Sequence, residues 1–491
     1  MLLSKSQYLM GLQCPKLLWV VFNEKERLPE TDAFTQHTFY EGERVGEVAK
    51  LLFSGGIDVS ADDFNTNLEE TQRLISCSKP LFEAGFVADN LSARADILMP
   101  TDDGWDIIEV KSSSSVKDVN IDDLAFQKYV YEMAGLKIRK CFLMHVNNQY
   151  IKYGEIKPES LFVQNDVTED VRSSQVGVEE RIKYMFSVIE GSEPEVKIGP
   201  GCKEPYTCSL KGECWSFLPE SGVDGLCCGG KKTFDLMEKG IYCIKDIPED
   251  YKLTARQKIQ KLCEENEGLH FDRENINNWL AGLNYPLYYL DFETFNTAIP
   301  IFDGTKPYQQ IPFQFSLHVQ YEPGGELEHF SFLAGGKKDP RPELLKRMWE
   351  LIGEDGSIVV YNQSFEIGRL KEMAEAFPDY KDRVESLISR FVDLIVPFRK
   401  FWFYKNCQKG STSIKKVLPA VTGESYDDME IGDGGTASLE YLRITFGDYY
   451  GNLPDEEEVK RVRDALEKYC GLDTEGMAWI VDGLRRKSFE F

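Results

Sequence analysis

Arg94-Ala95-Asp96-Ile97-Leu98-Met99, the turn Thr101-Asp102-Asp103-Gly104, then Trp105-Asp106-Ile107-Ile108-Glu109-Val110-Lys111. Two apolar runs around a turn signal predict a β-hairpin. Period-two alternation places Glu109 and Lys111 on one face of the second strand, and the hairpin lays Asp96 beside them. Two carboxylates can hold a hard divalent cation, and a lysine on the same face can orient an attacking water. An ordinary solvated hairpin would carry the same letters. The segment downstream argues against that reading. An amphipathic helix is expected from about Asp122 to Ala134, and there Gln127 and Tyr131 stand one turn apart on one face.

Around this stretch the sequence predicts an α/β core: helices over Leu3 to Phe22 and Phe34 to Phe53, strands over Leu81 to Lys111, the helix, then a strand near Lys140 to Val146. Residues 219–282 are polar and mostly helical, with Gly229-Gly230 and Pro248 as breakers, and read as a connector. A second α/β block starts near Tyr285. Leu287 to Leu290, Phe313 to Gln320 and Glu328 to Leu333 read as a strand meander. A helix follows from about Pro342, then a strand over Ser357 to Tyr361. A long helix over roughly Asp455 to Leu484 closes the block. The domains expected are therefore 1–218, 219–282 and 283–491, in a mixed α/β (α+β) chain.

The second block has its own acidic pattern. Asp291-Phe292-Glu293-Thr294 ends a strand with both acids on one face. Tyr361-Asn362-Gln363-Ser364-Phe365-Glu366 runs from a strand into a helix with an acid at its start. On the last helix Tyr469 and Asp473 are four apart and share a face. Asp393, on a further strand, is another acid expected near this group. Four such acids suit a two-metal phosphodiesterase, in which the cations stabilise the attacking and leaving oxygens and a tyrosine hydroxyl positions water. Arg399-Lys400-Phe401-Trp402-Phe403-Tyr404-Lys405 interleaves cations with rings, as single-strand binding sites do. Lys415 and Lys416, after Gly410-Ser411-Thr412-Ser413, suit phosphate. Arg399, Lys400, Trp402, Lys415 and Lys416 are thus the candidate nucleic-acid contacts; the competing reading is an aromatic core run beside a solvated turn.

Composition bounds the function. At 491 residues the chain has room for two or three cores. No run of about 18 apolar residues occurs, and Lys5 and Cys14-Pro15-Lys16 interrupt any signal-peptide pattern, so a cytoplasmic protein is expected. A net charge of −25 counts against the basic surface usual in nucleic-acid binders. Twelve cysteines in such a protein suggest metal ligands rather than disulfides. Cys14 stands far upstream of the closely spaced Cys202-x5-Cys208-x5-Cys214, which is not a common zinc spacing. The remaining cysteines, Cys470 among them, show no pattern and are assigned to packing.

Asp96, Glu109-x-Lys111 and Gln127-x3-Tyr131 resemble the RecB-type branch of the PD-(D/E)XK nucleases, over residues 1–215. The resemblance implies a restriction-endonuclease-like core, with Asp96 and Glu109 as metal ligands, Lys111 catalytic, and Gln127 and Tyr131 supporting. Members also carry a Gly-x3-His or a Glu on an early helix. Gly46 stands where that His would fall, so Glu43 or Glu47 would have to substitute. The four cysteines resemble those of the iron–sulfur members, including those of CRISPR adaptation, and imply a [4Fe–4S] staple at Cys14, Cys202, Cys208 and Cys214; zinc in the same ligands, or plain burial, are the alternatives.

Residues 285–485 resemble the DEDD exonucleases of the Tyr-x3-Asp subgroup, with an RNase H-like fold. Asp291, Glu293, Glu366 and Asp473 would hold Mg²⁺ or Mn²⁺ and Tyr469 would be catalytic; Glu366 stands where Asp is usual. Together the resemblances imply a nuclease for single-stranded nucleic acid, DNA ahead of RNA. Its second site would be a 3′→5′ exonuclease, and DNA repair or defence proteins would be its partners. Two alternatives stay open: a binding or assembly protein with one or both sites inactive, and an RNA-processing exonuclease.

Overall fold

The computed structural model describes residues 1–59, 63–447 and 454–490. It has a mixed α/β fold and divides into two compact units. The first is residues 1–217 with 297–309; the second is 218–296 with 310–491. The division falls at 217/218, and the stretch read as a connector lies in the second unit. A short piece from within the second block belongs to the first.

The first unit is built on seven strands: β1 (Leu3–Ser4), β2 (Ile57–Asp58), β3 (Leu81–Ala88), β4 (Leu91–Thr101), β5 (Gly104–Lys111), β6 (Ile138–Val146) and β7 (Phe162–Asp166). They lie in the order β2-β3-β4-β5-β6-β7, with β1 beside β4. β3, β4 and β5 form an antiparallel meander. β5 and β6 are parallel and are joined by the helix Asp118–Met133, the crossover that a parallel pair needs. One sheet face packs Tyr8, Leu124, Phe126, Val130 and Met185 from the helices. The other packs Val45 and Ala49 of the helix Ala33–Lys50, with Ala298 and Ile299 of the 297–309 segment. That segment is tied in locally: Ala298 N–H donates to the buried Glu41 carboxylate at 2.7 Å, and Lys152 pairs with Asp303 at 2.7 Å.

The long first helix expected from the sequence is two. Ser4 opens Lys5–Gln13 with a capping box to Gln7, and Pro15 starts Pro15–Asn23. Between them Cys14 is extended, at φ −159° and ψ 122°, because the ring of a following proline clashes with an α-conformed predecessor. The sequence therefore sets Cys14 at a joint.

The second unit holds β8 (Leu269–Phe271), β9 (Leu287–Phe295), β10 (Ile311–Gln320), β11 (Leu327–Leu333), β12 (Ser357–Val360), β13 (Phe391–Asp393) and β14 (Phe403–Lys405). Five lie in the order β11-β10-β9-β12-β13. β9 to β11 form the expected antiparallel meander, and β12 and β13 add in parallel. The helix Glu456–Glu490 packs on β10 and β9. It meets β10 along polar positions: Gln314 donates to the Leu466 carbonyl, Ser316 and His318 bond Thr474, and Gln320 donates to Asp482. The two remaining strands, β8 and β14, pair with each other, which fastens the stretch read as a connector to the body of the unit. Among the described residues no helix is long and apolar enough to cross a membrane.

Candidate functional sites

In the first unit β5 presents Glu109 and Lys111 as the alternation requires. Glu109 is 1% exposed. Its Oε1 accepts from Lys111 Nζ at 2.7 Å and from Lys5 Nζ at 2.8 Å, and its Oε2 accepts from Gln127 Nε2 at 2.8 Å. Lys111 also reaches Asp123 at 2.9 Å, and Gln127 donates to Asp123 at 2.9 Å. Asp96 accepts the Val110 N–H at 2.7 Å. Burial works to raise the Glu109 carboxyl, but Lys111 and Lys5 overcome it and hold the group well below the carboxylate range. Burial, then the Glu109 charge, pushes Asp96 up to about 7.

A break in the strands aims these groups. Leu81 and Ala84 of β3, and Ala95 and Leu98 of β4, lie in the same core although three residues apart. Strict alternation would put such pairs on opposite faces. The slip falls at Glu83, whose φ is +57°, and at Asp96 opposite it. Both carboxylates line one cleft of about 600 Å³ with Lys5, Glu109, Lys111 and Arg94. Glu43, Gly46 and Glu47 line it too. Gly46 faces open space, with nothing within 4 Å of where a Cβ would stand. Thus the early helix reaches the cleft, and it brings two glutamates there rather than an imidazole.

Tyr131 is not at this cleft's chemistry. Its hydroxyl donates to the Ala84 carbonyl and accepts from the Ala95 N–H, both at 2.7 Å, so it straps β3 to β4 beside the slip. Both of its hydroxyl bonds are spent on backbone, so its support is given to the hairpin itself. The sequence reading missed Lys5, Asp123 and Glu83. Asp123 had a signal, since it lies one turn before Gln127 on the same helix.

Cys14, Cys202, Cys208 and Cys214 come together. All four are free thiols. Cys14, Cys208 and Cys214 share a small apolar cluster with Leu17, Val20 and Leu210. Burial, and then the charges of the other three cysteines, raise the Cys208 thiol. Cys208 N–H donates to the Cys202 carbonyl at 3.0 Å, and Gln13 ties the Cys14 helix to the Gly201 and Tyr206 carbonyls.

In the second unit Asp291 and Glu293 stand on β9, Glu366 in the first turn of the helix Gln363–Ala376, and Tyr469 and Asp473 on the last helix. Ligand atoms of Asp291, Glu293 and Cys470 lie within 4.8 Å of one another. Tyr426, from a loop, donates to Asp473 Oδ1 at 2.6 Å, and Tyr469 hydrogen-bonds the same carboxylate. Burial, then Asp473, Glu293 and Glu366, push Asp291 well up. Burial and Asp473 do the same to Glu293. Burial pushes Glu366 up to about 8. Asp473 rises to about 6, because burial outweighs Tyr426 and Lys415.

Glu366 Oε2 is buried without a hydrogen-bond partner, in a residue 2% exposed. A lone buried carboxylate oxygen costs free energy unless something binds it. Asp393 instead accepts the N–H groups of Asn362 and Ile395, so it shapes the turn into the Glu366 helix.

The basic run divides. Phe401, Phe403 and Tyr404 are buried, with Phe401 stacked on Tyr404 at 4.5 Å. These rings are core, as the competing reading had it, and are unavailable for bases. Trp402 is half-buried, and Lys400 and Lys416 are exposed. Arg399 donates to the Asn362 side chain at 3.0 Å, beside the start of the Glu366 helix. Lys415 is at the site: its Nζ lies 5.7 Å from the Tyr469 ring centroid, and its charge acts on Asp473 and Glu293.

Comparison with known proteins finds a match over part of this second site. Residues 288–413 match a family described as a domain of unknown function, DUF2779; they include Asp291, Glu293 and Glu366. The chain is also similar to three mycoplasma-type proteins. It is 29% identical over 212 residues to "Uncharacterized protein MG366 homolog" of Mycoplasma pneumoniae, covering 39% of this chain and 31% of the relative. It is 28% identical over 215 residues to "Uncharacterized protein MG366" of Mycoplasma genitalium, with the same coverage. It is 30% identical over 211 residues to "Uncharacterized protein UU173" of Ureaplasma parvum, covering 38% and 30%. The matches thus span less than a third of each relative's length.

Proposed function

We propose that the chain is a metal-dependent nuclease for single-stranded nucleic acid, DNA ahead of RNA. Its second unit works as a DEDD-type 3′→5′ exonuclease, and its first unit carries a RecB-like site. The observation behind this is the meeting of Asp291, Glu293, Glu366 and Asp473, from three elements far apart in sequence, in one buried place with a deficit of positive charge. Such a place suits divalent cations. Asp291, Glu293, Glu366 and Asp473 would hold Mg²⁺ or Mn²⁺, which supplies Lewis-acid stabilisation of the phosphoryl oxygens. The chain's own groups do the rest: Tyr426 and Tyr469 orient Asp473, and Lys415 faces the approaching phosphate.

Cys14, Cys202, Cys208 and Cys214, brought into one neighbourhood, would hold a [4Fe–4S] cluster, for which four thiolates are the usual ligand set; zinc in the same ligands is the alternative. With cysteines kept reduced, the cytoplasm is the fitting compartment.

A second reading applies to the first unit alone, as a module that grips nucleic acid without cutting it. It is favoured by the two ammonium groups on one oxygen of Glu109. Digestion of end-labelled single-stranded DNA and RNA with Mn²⁺, by wild type, Glu109→Ala and Asp291→Ala, tests these assignments. Trimming from the 3′ end should vanish in Asp291→Ala; unchanged trimming rejects the exonuclease site. If Glu109→Ala loses no cleavage, the gripping role is left for the first unit. Purified protein should be brown, with broad absorbance near ~400 nm, and a colourless, iron-free anaerobic preparation rejects the cluster.

A further inference from the structure

Cys470 sits between the two functional positions of the last helix, three residues before Asp473 and so on nearly the same face. It is fully buried. Two acids of the site are among its neighbours, whereas a buried cysteine is more often packed among apolar side chains. Its Sγ lies 3.9 Å from Asp291 Oδ2 and within 4.8 Å of a Glu293 ligand atom. One ion bound to sulfur at about 2.3 Å and to oxygen at about 2.1 Å spans about 3.9 Å at an angle of about 125°. The sulfur therefore stands where a ligand would. The orphaned oxygen of the 98%-buried Glu366 is independent evidence that this place is built to receive something positive, since the Glu366 charge acts on the same Asp291.

We infer that Cys470 is a ligand of the second unit's cation, and that the site takes a thiophilic divalent ion (Mn²⁺, Co²⁺ or Zn²⁺) ahead of Mg²⁺. The inference rests on the nuclease reading's cation at Asp291. Mg²⁺ prefers an all-oxygen shell, whereas sulfur suits the later ions. On binding, the S–H proton leaves to solvent and a sulfur–metal bond replaces the weak S–H contact to Asp291. The site then gains one negative ligand without a further carboxylate.

Cobalt reports this bond directly, because thiolate-bound Co²⁺ has a near-ultraviolet charge-transfer band that oxygen-bound Co²⁺ lacks. The full-length protein, Cys470→Ser, Cys470→Ala and Asp291→Asn are titrated with Co²⁺ at matched iron content. Absorbance from cysteines elsewhere is common to all and cancels in the differences. Bound cobalt is counted by equilibrium dialysis. The expected result is one Co²⁺ lost in Asp291→Asn. In both Cys470 variants the charge-transfer difference should disappear and Co²⁺ should bind at least about tenfold more weakly. The preference for Mn²⁺ over Mg²⁺ in trimming should fall by a similar factor. If wild type and the Cys470 variants give the same band and affinity while Asp291→Asn loses its cobalt, Cys470 is packing and the nuclease reading survives. If Asp291→Asn binds as much cobalt as wild type, no cation sits there, and both fall. Using serine and alanine together guards against a single misfolded variant, and thermal melting shows which variants are folded.

Discussion

The two acidic sites use similar letters and have opposite electrical character. In the first, Glu109 receives two ammonium groups on one oxygen and an amide on the other, and burial still fails to neutralise it. In the second, Asp291 and Glu293 are both raised by burial and then by the charge of Asp473, with Lys415 the cation acting on Glu293 and Asp473. The first site is compensated by the fold, so an incoming cation must compete with Lys5 and Lys111. The second lacks compensation, so a cation relieves it. Counting carboxylates in a motif therefore says little about readiness to bind metal; the number and origin of nearby lysines decides it.

The largest expected effect follows from the uncompensated site. Asp291→Asn should lower 3′-end trimming by about 10³-fold, about 4 kcal/mol of barrier, measured on labelled single strands. A loss of less than tenfold would make the two sites more alike than their electrostatics suggest. Next comes the compensated site. Lys5→Met with Lys111→Met leaves Glu109 buried and unpaired, and should destabilise the protein by about 3 kcal/mol in urea unfolding. Mn²⁺ should restore part of that loss. No loss at all would show that the lysines do not compensate Glu109.

The third effect is a pH dependence. The Glu366 carboxyl is raised from 4.5 to about 8 by burial, so the folded protein binds its proton more tightly than the unfolded chain. Its contribution to stability is complete below about pH 4.5 and is lost as pH rises through about 8, at up to about 1.4 kcal/mol per pH unit. With chelator present, the melting temperature of wild type should fall over that window more steeply than that of Glu366→Gln. Added Mn²⁺ should flatten the wild-type slope. Parallel curves for the two proteins would remove Glu366 from the acidic group.

Much of this was legible in the sequence, for local reasons. Alternation placed Glu109 with Lys111 and Asp291 with Glu293, and helical spacing placed Tyr469 near Asp473. The Pro15 that breaks the first helix could be read too, yet a continuous helix was expected there, because apolar periodicity runs on across Cys14. Other features had no local signal. Lys5 meets Glu109 across 104 residues, and β8 pairs with β14 through letters that also suited a basic, ring-lined groove. The segment 297–309 fills the first unit's core from the far side of the sequence. The slip at Glu83 and Asp96 violates the very alternation by which strands are recognised. Cys470 was passed over because a single cysteine has no spacing to read; only its acidic company marks it.

The smallest effect tests that slip. Tyr131→Phe keeps the ring among Phe86 and its neighbours but removes the hydroxyl that accepts from Ala95 N–H and donates to the Ala84 carbonyl. Two buried backbone groups lose their partner, at about 1–2 kcal/mol. Because Ala84 follows Glu83 and Ala95 precedes Asp96, the two carboxylates should lose their fixed aim into the cleft. Weaker Mn²⁺ binding by the first site is therefore expected, while trimming by the second is unchanged. The comparison to make is with Phe86→Leu, which disturbs the same packing and leaves both hydrogen bonds. Equal losses in the two variants would mean that Tyr131 matters only as a ring. A Mn²⁺ defect confined to Tyr131→Phe would mean that one hydroxyl, bonded only to backbone, sets the geometry of the compensated site.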